Sequence, residues 1–114
     1  QRTFLAVQVE GAEGVENLEE IARVPGLDAI FVGPYDLSQS LGIPGQLDHP
    51  RLLEAMDACI RTIRSAGLAA AVYADSPEQA RRWRQRGVQF LAILADGVVM
   101  HRAYAQLMRD ARQE

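Results

Sequence analysis

Short apolar runs alternate with amphipathic stretches along the whole chain. Thr3-Phe-Leu-Ala-Val-Gln-Val-Glu10 stays apolar until its end, where Gln8 and Glu10, two apart, point to one side of an extended strand. Gly11 to Gly14 form a loop. Val15, Leu18, Ile21, Ala22 and Val24 then recur at helical spacing and predict one amphipathic helix, ended by Pro25-Gly26, with Glu16, Glu19 and Glu20 on its outer face. Leu27 to Val32 reads as a second strand. Gly33-Pro34 ends it, because Pro34 has no ladder donor and fixes its φ, while Gly33 tolerates dihedrals other residues avoid. From there to Asp48 the sequence reads as one long loop, and a connection of that length marks a binding loop. His49-Pro50 opens a helix through Leu53, Met56, Ile60 and Ile63, closed by Ala66-Gly67. Leu68 to Tyr73 is a third strand. Ser76-Pro77-Glu78 supplies an N-cap, a first-turn proline and an acid for a helix that ends at Gly87. Val88 to Leu94 is a fourth strand, and Val98 to about Arg112 a closing helix.

The pattern is βα repeated four times, at roughly 25 to 30 residues per unit, which predicts an α/β fold with a parallel sheet and crossover helices. Four units are half of a (β/α)8 TIM barrel, whose usual length is about 250 residues. Residues 1–114 are thus expected to form a single half-barrel segment, the carboxyl-terminal half. Such a half exposes two sheet edges and one apolar face, so the expectation is a fragment of a longer chain or obligate pairing with another copy. Ligands of parallel α/β sheets bind at the carboxyl ends of the strands, where Glu10 and Asp36 both fall.

Composition narrows the chemistry. With 48% hydrophobic and 24% charged residues the chain reads as soluble and globular, and a net charge of -3 gives no reason to expect nucleic acid or a membrane surface as partner. Arg81, Arg82, Arg84 and Arg86 read as a solvated helix face. All 12 bases are Arg, so this segment has no lysine for a Schiff base. Cys59 is the only cysteine; it excludes an intrachain disulfide, suits a reducing cytoplasm, and reads as a core thiol among apolar neighbours. No signal peptide and no apolar run near 18 residues is present, so an untargeted soluble protein is expected.

Glu10 and Asp36 are one βα unit apart, and adjacent strands lie about 4.7–4.9 Å apart, so both carboxylates can converge on one cation. Oxygen ligands with room for water and a chelating substrate suit magnesium or manganese. Gln8, one pleat deeper, is positioned to hydrogen-bond an oxyanion. Spacing alone equally accommodates two solvated carboxylates beside loops. Of the two histidines, His49 reads as a turn or capping residue and His101 lies in the last helix, away from the predicted site. Asp96 follows the fourth strand, where it can face the site, but reads more readily as a helix cap; Tyr73 and Asp75, at the end of the third strand, are placed to line the same mouth; Trp83 reads as a packing anchor. Ser38 and Ser40 have no histidine–acid support nearby in sequence, which argues against a hydrolase triad.

Val7-Gln-Val-Glu10, Gly14-Val-Glu-Asn-Leu-Glu-Glu-Ile-Ala22, Val24-Pro-Gly-Leu-Asp28 and Phe31-Val-Gly-Pro-Tyr-Asp-Leu-Ser-Gln-Ser-Leu-Gly42, with Pro44-Gly-Gln and Asp48-His-Pro50, resemble the HpcH/HpaI family. These are metal-dependent class II pyruvate aldolases, typified by 4-hydroxy-2-oxoheptanedioate aldolase, in the phosphoenolpyruvate/pyruvate barrel superfamily. The resemblance covers the carboxyl-terminal half of that barrel and is densest from Val7 to Pro50. It implies that Glu10 and Asp36 bind the divalent metal, that Gln8 contacts pyruvate, and that the Tyr35 backbone amide lies against the pyruvate carboxylate. Family members often carry Ala at the Tyr35 position. The implied reaction cleaves or forms 4-hydroxy-2-oxo acids, to or from pyruvate and an aldehyde, through a metal-stabilised enolate. The family's catalytic base involves a histidine, and an arginine holds the carboxylate; both belong to the amino-terminal half and map to no residue here, so the isolated chain is expected to be inactive. A homo-oligomer is implied, with the last helix packing on a neighbour. Two alternatives stand beside this reading: a citryl- or malyl-CoA lyase of the same superfamily, and a catalytically inactive half-barrel acting as a binding module.

Overall fold

The computed structural model describes residues 3–112. Four strands, β1 (Ala6–Val9), β2 (Ala29–Val32), β3 (Ala69–Ala74) and β4 (Phe90–Ile93), form one parallel sheet in the order β1-β2-β3-β4. Helices fill every crossover: α1 (Ala12–Glu16), α2 (Leu18–Ala22) and then α3 (Pro34–Ser40), α4 (Pro50–Ser65) and α5 (Pro77–Gln85), with α6 (Asp96–Arg112) last. The parallel α/β architecture expected from the alternating pattern is therefore present. No helix among the described residues is long and apolar enough to cross a membrane.

Two segments differ from the sequence-based expectation. The amphipathic stretch after β1 is not one helix but two, broken at Asn17, which takes φ −91° and ψ 7° between α1 and α2. Its apolar periodicity runs straight across the break. The span after Gly33 is not wholly loop either, because α3 begins at once, with Gly33 as N-cap and Pro34 inside the first turn. A proline at that position loses no helical hydrogen bond, so the residue that ends β2 also starts α3. Three strands are shorter than their apolar runs, β1 by the most, while β3 keeps its six residues, shifted by one.

Alternate strand residues face the helices. Val9, Ile30, Val32, Ala70, Val72 and Ala74 pack with Leu52, Met56, Cys59, Ile60 and Ile63 of α4, and with Leu18, Ala22, Ala80 and Trp83 from α2 and α5. Gly67, at φ 80°, reverses the chain after α4 and feeds it into β3, a conformation that strains residues with a Cβ. On the opposite face, the register aligns Gln8 with Phe31, Ala71 and Phe90. A flat sheet would hold β1 and β4 roughly 14 Å apart, three strand spacings. Instead the rings of Phe4 and Phe90 meet edge to face, 5.9 Å between centroids. The sheet is thus curled, with this second face concave.

Candidate functional site at the strand ends

The carboxyl ends of β1, β2 and β3 open at one rim of the curled sheet. Gln8 and Glu10 lie on the concave side, exposed, and the Gln8 side-chain amide donates to Glu10 Oε2. Gly33, whose N–H donates to the Val9 carbonyl at 3.1 Å, passes directly behind them. A Cβ on Gly33 would stand 3.0 Å from Glu10 Cβ, 3.2 Å from Glu10 Oε2 and 3.5 Å from Gln8 Nε2. The glycine is needed there for room, not for dihedral freedom: its φ of −81° is open to any residue. Asp36 follows in the first turn of α3, exposed.

A buried hydroxyl supports that turn. Ser38 Oγ donates to the Tyr35 carbonyl at 2.5 Å and accepts from the Gly45 N–H at 2.9 Å. Ser40 Oγ accepts from the Ala12 N–H at 2.9 Å, tying the end of α3 to the start of α1. Both serine hydroxyls are therefore engaged with backbone groups around α3.

The next strand brings in residues that sequence reasoning placed only at the mouth. The Tyr35 hydroxyl donates to Asp75 Oδ2, and the Tyr35 and Tyr73 rings meet edge to face at 6.2 Å. That bond, with partial burial and the Asp75 charge behind it, pushes the Tyr35 phenol up to about 12. Tyr73 is also raised, first by desolvation and then by the Asp75 charge. Asp75 is itself held, since its N–H donates to Gln79 Oε1 at 2.9 Å while Ser76 Oγ accepts from the Gln79 N–H at 3.2 Å. No local signal announced the pairing, because Tyr35 and Asp75 are 40 residues apart in sequence.

The other candidates resolve simply. His49 caps α4, its Nδ1 accepting from the Arg51 N–H at 3.2 Å. His101 is exposed on α6, and Asp96 Oδ1 accepts from the Gly97 N–H at 2.7 Å at that helix's start. Trp83 is buried in the core as expected. Burial pushes the Cys59 thiol up to about 11, as befits a core thiol. The arginine face of α5 is not merely solvated: Arg82 pairs with Asp48 at 2.7 Å, Arg86 with Asp57 at 2.5 Å, and Arg81 with Glu78 at 2.7 Å. Two open grooves of about 310 and 390 Å³ lie between α2 and α4, sharing Glu19, Arg23 and Thr62, in the helix layer and not at the rim.

Among the described residues no three His, Cys, Asp or Glu side chains gather as a ready metal cluster. What the rim offers is a smaller set of hard oxygen donors, Glu10 and Asp36, with Gln8 orienting one of them. The space kept clear by Gly33 leaves Glu10 Oε2 unobstructed by a Cβ. This set fits an oxygen-seeking divalent ion that retains water or substrate oxygens in its shell, and it does not fit a closed thiolate or imidazole site.

Known proteins are similar to most of this chain. A 2-keto-3-deoxy-L-rhamnonate aldolase from Salmonella schwarzengrund is 44% identical over 92 residues, covering 81% of this chain and 34% of that protein. A hydroxypyruvate/pyruvate aldolase from Paraburkholderia phytofirmans is 39% identical over 106 residues, covering 93% of this chain and 41% of its own length. The crystal structure of an HpcH/HpaI aldolase/citrate lyase family protein from Burkholderia cenocepacia superposes with a TM-score of 0.90 at 37% identity, over 97% of this chain and 43% of that one. The chain thus spans about two fifths or less of the length of these relatives. The sequence model of the HpcH/HpaI aldolase/citrate lyase family matches residues 1–103, and the chain belongs to that family.

Proposed function

We propose that these four βα units are the carboxyl-terminal half of a (β/α)8 barrel, and that the whole protein is a metal-dependent pyruvate aldolase acting on 4-hydroxy-2-oxo acids. The curled parallel sheet and the partial coverage of longer relatives support the first statement. The second is carried by one observation: Gln8 and Glu10 in contact at the end of β1, packed against a glycine that keeps them clear, with Asp36 in the turn that follows.

In this reading Glu10 and Asp36 hold a magnesium or manganese ion. When bound, such an ion supplies Lewis-acid stabilisation of the negative charge that develops on pyruvate's oxygens. Gln8 holds the Glu10 carboxylate in one orientation and has a second amide hydrogen to donate to a pyruvate oxygen. The Tyr35 backbone N–H donates to the pyruvate carboxylate, and Ser38 fixes the turn that presents it. Neither histidine serves as base, since His49 Nδ1 is occupied in capping α4 and His101 stands on α6. The base and the carboxylate-binding arginine come from residues outside this chain. A second copy packs on the exposed apolar residues of α6, and a cytoplasmic setting suits the single buried thiol.

The test uses the full-length protein with manganese, following pyruvate release from a 4-hydroxy-2-oxo acid. Glu10→Ala and Asp36→Ala should each lower turnover by about 10²-fold or more, and calorimetry should show weakened manganese binding in both. Unchanged activity in the two variants would sink the assignment.

A further inference from the structure

Glu10 and Asp36 lie on two separate limbs of backbone, and two hydrogen bonds tie the limbs together. The first is the Gly33 N–H on the Val9 carbonyl at 3.1 Å, a bond between backbone groups that any residue but proline at position 33 can make. The second is the Ala12 N–H on Ser40 Oγ at 2.9 Å, and it depends on one side chain. Val9 to Ala12 and Gly33 to Ser40 thus form a closed frame, with Glu10 on one limb and Asp36 on the other.

The Glu10 limb needs the second tie. Its pairing with β2 ends at Val9, and it runs on through Gly11, where a Cβ would meet nothing within 4 Å. As the N-cap of α1, Gly11 makes no side-chain hydrogen bond to the first-turn amides, which have no partners within the helix. Ser40 supplies the acceptor instead, from across the rim. The same bond gives α3 its direction. Asp36 and Ser40 are four apart in α3 and so share one face, a turn apart. Because Ser40 reaches Ala12, that face is turned toward the exit of β1, and Asp36 stands on the side where Glu10 emerges.

We propose that Ser40 is a positioning residue for the metal: its hydroxyl fixes the separation of the two strand exits at which Glu10 and Asp36 together hold one divalent ion. This inference rests on the reading above that these two carboxylates bind the metal. Ser40 acts through the backbone of the Glu10 limb, not by touching the ion. Ser40→Ala leaves both carboxylates in the chain but unties their limbs, so the ordering of the frame is charged to ion binding and affinity falls.

The experiment is calorimetric titration of the metal-free full-length protein with manganese, with urea unfolding of the same metal-free samples beside it. Ser40→Ala should weaken manganese binding about tenfold, while Ser40→Thr, which keeps the hydroxyl, should restore most of that loss. Asp28→Ala is the comparison: it removes a bond of the same kind, the Leu5 N–H on Asp28 Oδ2 at 2.9 Å, at the amino ends of the same two strands. It should lower the unfolding midpoint and leave manganese binding unmoved. Undiminished binding in Ser40→Ala would overturn the proposal, as would an equal loss in Ser40→Thr or a loss as large in Asp28→Ala. The Glu10→Ala and Asp36→Ala proteins separate the two levels. A wild type that binds no manganese, or binding unchanged in these two variants, overturns the metal reading and this inference with it; binding that needs both carboxylates but not Ser40 overturns this inference alone.

Discussion

Helices α4 and α6 are nearly equal in length, 16 and 17 residues, and both carry an apolar stripe, yet α4 buries five residues and α6 none. In α4, Leu52, Met56, Cys59, Ile60 and Ile63 fill the space over the middle of the sheet. In α6, Met100, Tyr104, Leu107 and Met108 recur at the same helical spacing and are 58%, 63%, 62% and 51% exposed. Periodicity reports that a helix has an apolar face. It does not report whether the cover for that face lies in the same chain. The contrast separates the part of this molecule that is complete in itself from the part that presents a surface to something else.

The largest expected effect is in α4. Met56→Ala removes a fully buried side chain from between helix and sheet and should cost about 2–5 kcal/mol in denaturant unfolding; a loss under 0.5 kcal/mol would place α4 in the same category as α6. Alkaline pH probes the same face less severely. Because burial raises the Cys59 thiol from 9.0 unfolded to about 11 folded, the protonated form is favoured by folding. Its contribution to stability is complete below pH 9 and is lost as pH rises from 9 to 11, and native Cys59 should resist alkylation at pH 8 far longer than the unfolded chain does. Rapid native alkylation would erase the distinction between the two helices. Smallest in stability is Leu107→Glu on α6, expected to shift unfolding by less than about 0.5 kcal/mol while light scattering shows loss of a self-associated species. Destabilisation beyond 2 kcal/mol would mean that α6 packs within its own chain.

The legibility of the fold follows the same division. The helix α4 was readable to within a residue or two, because Pro50 fixes its start, Gly67 its end, and apolar spacing fills the interval. The break at Asn17 was not readable, since Val15, Leu18 and Ile21 keep helical phase on both sides of it. Nor was α3: a Gly-Pro pair that stops a strand looks the same whether a loop or a helix follows, and seven residues are too few for periodicity to decide. For the site, period-two spacing was enough to put Gln8 and Glu10 on one side, and they touch. The role of Gly33 was misjudged, because clearance behind two side chains depends on the neighbouring strand. The Tyr35–Asp75 bond depends on the curl and register that carry β3 beside α3, neither of which is written in any local stretch.

Ser38 bears on how this rim can change over evolutionary time. Its hydroxyl joins the first turn of α3 to Gly45, and the stretch between is closed further by the Ile43 N–H on the Ser38 carbonyl at 2.9 Å. Insertions or deletions between Leu41 and Gly45 would break both links and release the turn carrying Tyr35 and Asp36. A change of length in this connection is therefore expected to be tolerated only after Gly45, and the rim is expected to change by exchange of side chains on a backbone of fixed length.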